Sequence, residues 1–169
     1  MSIISGILAT QAPDKEVLKL SIQRKAKYFV IKLRGNIDFL TIKQYYECLG
    51  WKVVIFSDNS PIIDELNISE LPKSKGFVFF DERIKYIFVR AGLSPKDKRN
   101  VIIHEAAHIE LNHMFSDLTE DAKERDATEF SNVVLRCAET SARNIVEGIL
   151  LIAGVLLLAL LSVHVYKLY

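Results

Sequence analysis

Apolar and polar positions along this chain change their spacing several times, and each change marks a predicted element. Between residues 14 and 34 apolar positions recur with helical spacing, and the pattern ends at Gly35 and Asn36. Asp38 is placed to cap a second helix, Phe39 to Leu49, which Gly50 closes. The following residues, 51–56, have the β-branched and aromatic composition of a strand. The first third of the chain is therefore predicted to be helix, helix and strand.

The middle of the chain carries a hairpin pattern. A turn at residues 57–61 leads into a connection with a short helix at Ile62 to Leu66. Gly76 to Phe80 and Lys85 to Arg90 then form two strand-like runs separated by four residues. With the strand around Val53, they predict a small, mainly antiparallel sheet of about three strands. The expected fold class is α+β.

Two further helices follow the hairpin. Ser94, Pro95 and Asp97 form an N-terminal signature, and the helix that they begin is expected to stop near Met114 to Ser116. Asp117 or Thr119 can cap the next helix, which runs through Phe130 and Val134. A short turn between these helices predicts an antiparallel pair.

The end of the chain is strongly apolar. Residues 148–166 contain no Asp, Glu, Lys or Arg, and at helical rise they would extend ~28 Å, close to the hydrocarbon thickness of a bilayer. A buried core helix is the alternative, but a domain of this size has little means of surrounding such a segment. Arg125, Arg136 and Arg143 precede the segment and only Lys167 follows it. The positive-inside rule then predicts a single-pass C-terminal membrane anchor with the large N-terminal part in the cytoplasm.

The composition of the chain limits the kinds of partner and site that it can have. The 169 residues include 22 Lys and Arg against 21 Asp and Glu, so the net charge of +1 gives no footprint for nucleic-acid binding. Cys48 and Cys137 lie outside any C-x-x-C spacing, which argues against a thiolate zinc site and against a disulfide scaffold. The basic residues of the first helix are expected to form a solvated face; anionic lipid headgroups are the alternative partner.

These patterns divide the chain into four segments. We expect an N-terminal helical and basic segment at 1–37, one globular domain that carries the candidate chemistry at 38–143, a transmembrane helix at 144–166 and a short tail at 167–169.

The chemistry is concentrated in the H-E-x-x-H motif at residues 104–108. His104 and His108 are four apart on a predicted helix, so both imidazoles face one ion. Glu105 lies at the rim of that face, where it can act as general base toward water without ligating the metal. The alternative is an accidental order of surface or core side chains. The spacing favours a zinc ion held by His104 and His108, with Glu105 as the catalytic residue.

A zinc site of this kind needs a third protein ligand. His113 lies about 160° around the helix from the two motif histidines and is predicted not to contribute. An antiparallel return from a turn near Ser116 brings Glu124 level with His108. Glu124 is therefore the predicted third metal ligand, with Glu120 and Asp126 as reserves.

Residues 99–108 and the block from Glu124 to Ser131 resemble the ImmA/IrrE family of zinc metallopeptidases, a gluzincin-like group. The resemblance runs from about Asp38 to Leu135 and implies a zincin-like minimal metalloprotease domain. Members typically carry H-E-L-G-H, a histidine shortly after it, and E-x-x-A-x-x-F-A. The match implies the same metal ligands, His104, His108 and Glu124, and the same catalytic glutamate. The departures are Ala106 and Ala107 in place of Leu-Gly, and Ser131 in place of the last alanine.

The expected function is a membrane-anchored, zinc-dependent endopeptidase that hydrolyses peptide bonds of a protein substrate. The family resemblance implies a regulatory protein such as a repressor as one substrate, although this chain has no helix-turn-helix pattern. The alternative function is a regulatory binding module or sensor that keeps the zinc site and does not cleave. The charged residues flanking the motif disfavour an intramembrane protease.

Overall fold

The computed structural model describes residues 15–68, 73–81 and 83–166, and within the last helix the side chains of 141–146, 148 and 155–166 lie outside that description. The beginning of the predicted N-terminal segment and the predicted tail at 167–169 also lie outside the described residues.

Within the described residues, eight regular elements follow the predicted order, except that one helix takes the place of the two expected at the end of the chain. The helices and strands are α1 (Lys15–Lys32), α2 (Phe39–Cys48), β1 (Lys52–Phe56), α3 (Pro61–Glu65), β2 (Gly76–Phe80), β3 (Lys85–Arg90), α4 (Pro95–Glu110) and α5 (Glu120–Tyr166), with a short 3-10 turn at His113–Phe115 before α5.

The three strands form a mixed sheet in the order β1-β3-β2. Strands β2 and β3 form the predicted antiparallel hairpin, with Val78 opposite Ile87. Strand β1 pairs with β3 in parallel, with Val53 opposite Ile87. The expectation of a mainly antiparallel sheet is therefore wrong for one of its two pairings. The connection through α3 leads to β2 at the far edge of the sheet, and the hairpin then returns β3 between β2 and β1, so that β3 runs parallel to β1.

The main hydrophobic core lies between one face of this sheet and helices α1, α2, α4 and α5. Phe29 of α1 contacts Phe130 of α5 and Tyr46 of α2, with ring centroids 5.7 and 6.3 Å apart. A smaller cluster on the other face of the sheet joins Phe56 and Phe88 to Ile63 of α3. Helix α4 contacts the sheet, α2 and α5 together, so its position is fixed from several sides.

Helix α4 begins at the predicted cap. The Oγ of Ser94 accepts a hydrogen bond from the Asp97 backbone N–H at 3.1 Å, and Pro95 occupies the first turn. The helix ends at Glu110, which is earlier than the predicted stop near Met114 to Ser116. Asn112 adopts a left-handed conformation with φ 62°, which interrupts the helical path.

Glu110 joins the end of α4 to two other helices. One carboxylate oxygen accepts from the Tyr46 hydroxyl at 3.2 Å, and the other pairs with the Lys32 ammonium at 3.1 Å. Lys25 donates to the Glu110 carbonyl at 3.3 Å. The basic first helix is therefore not only a solvated face, because two of its lysines hold the last turn of α4.

Helix α5 runs without interruption for 47 residues, where two separate helices were expected. Among the residues that the structure describes, no helix has a stretch long and apolar enough to cross a membrane. The predicted anchor over 144–166, and the membrane location inferred from it, are therefore not supported.

The cap of α4 gives a first testable prediction. Ser94→Ala leaves the Asp97 N–H without its partner and is expected to lower the free energy of unfolding by about 1 kcal/mol. Ser94→Asn restores a capping oxygen and should recover most of that loss. Urea unfolding followed by circular dichroism measures both changes. Equal stability of the alanine variant and the unmodified chain would contradict the assigned cap.

Candidate metal centre

Three predicted metal ligands meet where α4 and α5 face each other. His104 and His108 occupy consecutive turns of α4, and Glu124 projects from the second turn of α5. The Nε2 atoms of the two histidines lie 3.3 Å apart. The Glu124 carboxylate reaches both rings, with one oxygen 3.0 Å from His104 Nε2 and the other 3.3 Å from His108 Nε2.

This triangle of donor atoms fits a tetrahedral metal ion. Ligands held ~2.0–2.1 Å from a zinc ion in tetrahedral geometry lie about 3.3–3.4 Å from one another. The two Nε2 atoms lie 3.3 Å apart, which is this spacing, and each has one of the two Glu124 oxygens at 3.0 or 3.3 Å. Two imidazoles and one carboxylate leave a fourth position open, as catalytic zinc sites require. The residues present therefore fit a zinc ion by both donor chemistry and spacing.

Burial keeps His108 in the form that can ligate a metal. The pKa of His108 is lowered to about 4, mainly because burial disfavours the charged ring and because His104 lies beside it. Glu124 opposes this shift. At neutral pH the ring is therefore uncharged, and an uncharged imidazole has the lone pair that a metal ion needs.

Glu105 is buried directly beside this triangle, with 6% of its surface exposed. Burial raises the pKa of its carboxyl to about 8, and the nearby Glu124 charge adds to the increase. In the metal-free protein the carboxyl therefore holds its proton at neutral pH. A bound divalent cation would favour the ionised form.

Strand β2 passes close to the Glu105 side chain at Gly76. A Cβ atom at this position would lie 3.1 Å from a Glu105 carboxylate oxygen, 2.5 Å from Val101 Cγ1 and 2.8 Å from the Phe88 carbonyl oxygen. The sheet can approach the motif helix this closely only because residue 76 has no side chain.

An open cleft of about 730 Å³ lies over the triangle. Its walls come from β2 and the segment before it, from α4 and from the start of α5, and they include Ser74, Phe77, Asn100 and Met114. Strand β2 is an edge strand of the described sheet, and its residues Gly76, Phe77 and Val78 line the cleft. The cleft admits a ligand much larger than a water molecule.

The two reserve carboxylates do not join the triangle, although Glu120 lines the same cleft. Glu120 is exposed and pairs with Lys123 at 2.8 Å, and Asp126 is buried with its carboxylate 3.7 Å from the Arg125 guanidinium. Neither belongs to the group of donors that can share one ion within the described residues.

The structure brings in one residue that reasoning from the sequence did not use. His113 is 4% exposed, and its Nδ1 lies 3.1 Å from Nδ1 of His108. The estimate of about 160° around the helix assumed that α4 continues to residue 113. Because α4 ends at Glu110 and Asn112 reverses the chain, His113 returns to the back of His108. Asn112 itself is a local signal of this turn, because asparagine adopts the left-handed conformation more readily than most residues.

Comparison with known proteins points to one family. A family model, Peptidase_M78, described as the IrrE N-terminal-like domain, matches residues 48–153, which is more than half of the chain. No curated protein and no solved structure matches the chain.

This chain departs from the typical ImmA/IrrE motifs at Ala106, Ala107 and Ser131, and none of these departures disturbs the site. Ala106 and Ala107 are completely buried on the side of α4 that packs into the core. Ser131 is also buried, and its hydroxyl donates to the Ala127 carbonyl at 2.8 Å, so the extra polar group has a partner.

The close approach at Gly76 predicts a specific steric effect. Gly76→Ala places a methyl group against Val101 and the Phe88 carbonyl, and it should lower the free energy of unfolding by about 1–3 kcal/mol through overpacking. Gly154→Ala is the matched control, since among the described residues a Cβ there meets no atom within 4 Å outside its own helix backbone and chain neighbours. Thermal unfolding of both variants measures the difference. An alanine at 76 that is as harmless as the one at 154 would contradict the described packing.

Proposed function

Because this chain belongs to the Peptidase_M78 family, the IrrE N-terminal-like domain, we propose that it is a zinc-dependent endopeptidase that cleaves protein or peptide substrates. The observation that carries the proposal is the triangle of His104, His108 and Glu124 donor atoms in an open cleft, with the buried Glu105 carboxyl beside it. A zinc ion bound there would acidify water and polarise a peptide carbonyl.

Each residue of the site has a role that follows from its position. His104, His108 and Glu124 would hold the metal from two helices whose packing fixes the spacing of the donors. Glu105 comes directly after His104 in the sequence, and its buried carboxyl does not belong to the group of three donors that can share one ion. In its ionised form it takes a proton from the attacking water and passes it to the leaving nitrogen.

The cleft supports a peptide rather than a small metabolite as substrate. It is lined in part by the edge strand β2, and its walls include apolar side chains such as Phe77 and Met114 together with polar ones such as Ser74 and Asn100. An extended peptide offers both apolar side chains and backbone groups to such a surface. The proposal therefore names a peptide bond in an extended segment as the reacting group.

The ligand assignment predicts an asymmetry between two glutamates on the same helix. Glu124→Gln removes a charged ligand and should weaken zinc binding by at least about tenfold, since structural and catalytic zinc sites depend on each protein ligand. Glu120→Gln removes an exposed carboxylate one turn earlier and should leave the zinc affinity unchanged. Competition with a chromophoric chelator at pH 7.5 measures both affinities. Similar zinc affinities for the two variants would contradict the assignment of Glu124 as a metal ligand.

The role of Glu105 separates binding from catalysis. Glu105→Gln keeps the size of the side chain but cannot accept a proton, so we expect zinc binding to persist and cleavage to fall by about 10²-fold or more. The assay is mass spectrometry of products from a mixture of synthetic peptides, with zinc content measured on the same samples. Glu105→Asp is the matched control, since it keeps the base but moves it by one methylene group.

Two outcomes would contradict the peptidase proposal. Undiminished cleavage by the Glu105→Gln variant would assign the base to another residue. Zinc binding by the unmodified chain with no cleavage of any peptide or protein offered would instead favour the non-cleaving regulatory module.

A further inference from the structure

His108 contacts His113, a histidine outside the proposed ligand set, and this contact bears on which ring nitrogen of each histidine carries a proton. The two Nδ1 atoms lie 3.1 Å apart, and the rings meet at 76°, so they contact edge to face rather than stack. Two nitrogens at this distance form a hydrogen bond only if one carries a proton and the other offers a lone pair.

The position of His108 determines which nitrogen carries the proton. Its Nε2 faces His104 Nε2 and the Glu124 carboxylate at 3.3 Å, so Nε2 is the atom that would ligate zinc. A neutral imidazole that ligates through Nε2 keeps its one proton on Nδ1. That Nδ1–H then points at His113 Nδ1, which must accept it and therefore carries its own proton on Nε2.

We propose that His113 is a positioning residue that fixes His108 in the tautomer and ring orientation required for metal binding. This inference rests on the proposed function, because it assumes a metal ion at His104, His108 and Glu124. Metal-bound histidines generally donate their other ring N–H to a nearby acceptor, and carboxylates, carbonyls and water are the usual acceptors. Here a second imidazole takes that place.

The local backbone holds His113 in position for this contact. Helix α4 ends at Glu110, and Asn112 turns the chain through its left-handed conformation. The 3-10 turn that follows is closed by hydrogen bonds from the Phe115 N–H to the Asn112 carbonyl at 3.2 Å and from the Ser116 N–H to the His113 carbonyl at 3.3 Å. With 4% of its surface exposed, His113 has little room for another rotamer.

The same geometry excludes His113 as a metal ligand. The Nδ1 and Nε2 atoms of an imidazole point away from each other, so a residue that contacts His108 Nδ1 lies on the side of the ring away from the donor triangle. His113 therefore acts on the metal only through His108.

Two substitutions in the full chain test the proposal. His113→Leu removes the acceptor and should weaken zinc binding by about 10–100-fold, the usual effect of losing such a partner. His113→Asn keeps an oxygen acceptor close to the position of Nδ1 and should retain an affinity within about threefold of the unmodified chain. Chelator competition gives the affinities, and the melting temperature of each metal-free variant shows whether the fold has been damaged.

A spectroscopic measurement tests the proton positions without relying on any variant. In the zinc-loaded chain, long-range ¹H–¹⁵N correlation spectra of the histidine rings should show His108 protonated at Nδ1 and His113 protonated at Nε2. A His108 proton on Nε2 would overturn the positioning role. Equal zinc affinity of the His113→Leu variant and the unmodified chain would also overturn it. Absence of zinc binding by the unmodified chain would instead overturn the proposed function on which the inference rests.

Discussion

The packing of α4 against the sheet on one side and against α5 on the other is the constraint on which the site depends. Ile102, Ile103, Ala106 and Ala107 are buried in the core, and this burial fixes the rotation of the helix about its axis. The rotation leaves His104 and His108 facing α5. A metal site with two ligands four residues apart and a third on another helix requires that these helices do not slide or rotate relative to each other.

The same packing sets the electrostatics of the site. Burial acts in opposite directions on the pKa values of an acid and a base, because in both cases it disfavours the charged form. It lowers the pKa of His108 to about 4 and raises that of Glu105 to about 8. Both residues are therefore uncharged at neutral pH in the metal-free protein, and the arrangement avoids an uncompensated buried charge. Gly76 contributes by letting the edge strand close over Glu105 without a side chain.

Much of the fold could be predicted from the sequence wherever a local interaction determines it. The Asp38 cap of α2, the Ser94 cap of α4 and the hairpin of β2 and β3 each depend on neighbouring residues. The position of Glu124 beside His108 could be predicted by counting residues through an antiparallel turn, since the two helices are close in sequence. The parallel pairing of β1 with β3 depends on the path of the chain between them, and no residue of either strand encodes its direction.

The errors at the end of α4 and in the last helix have a common origin. Periodicity predicts that a helix exists but not where it ends. The left-handed conformation of Asn112 follows the early end of α4 and places His113 against His108. Periodicity likewise did not predict that α5 continues from the site into the apolar residues at 149–154 as one helix. A hydropathy pattern also does not establish that a segment lies in a membrane.

If His104, His108 and Glu124 hold one zinc ion, X-ray absorption at the zinc edge can detect this coordination in the full chain loaded with one equivalent of zinc. The expected spectrum shows about four nitrogen and oxygen neighbours at ~2.0–2.1 Å, with the outer-shell scattering of two imidazole rings. That imidazole scattering should be lost in the His104→Ala and His108→Ala double variant. A sulfur neighbour near ~2.3 Å, or an unmodified chain that retains no zinc, would contradict it.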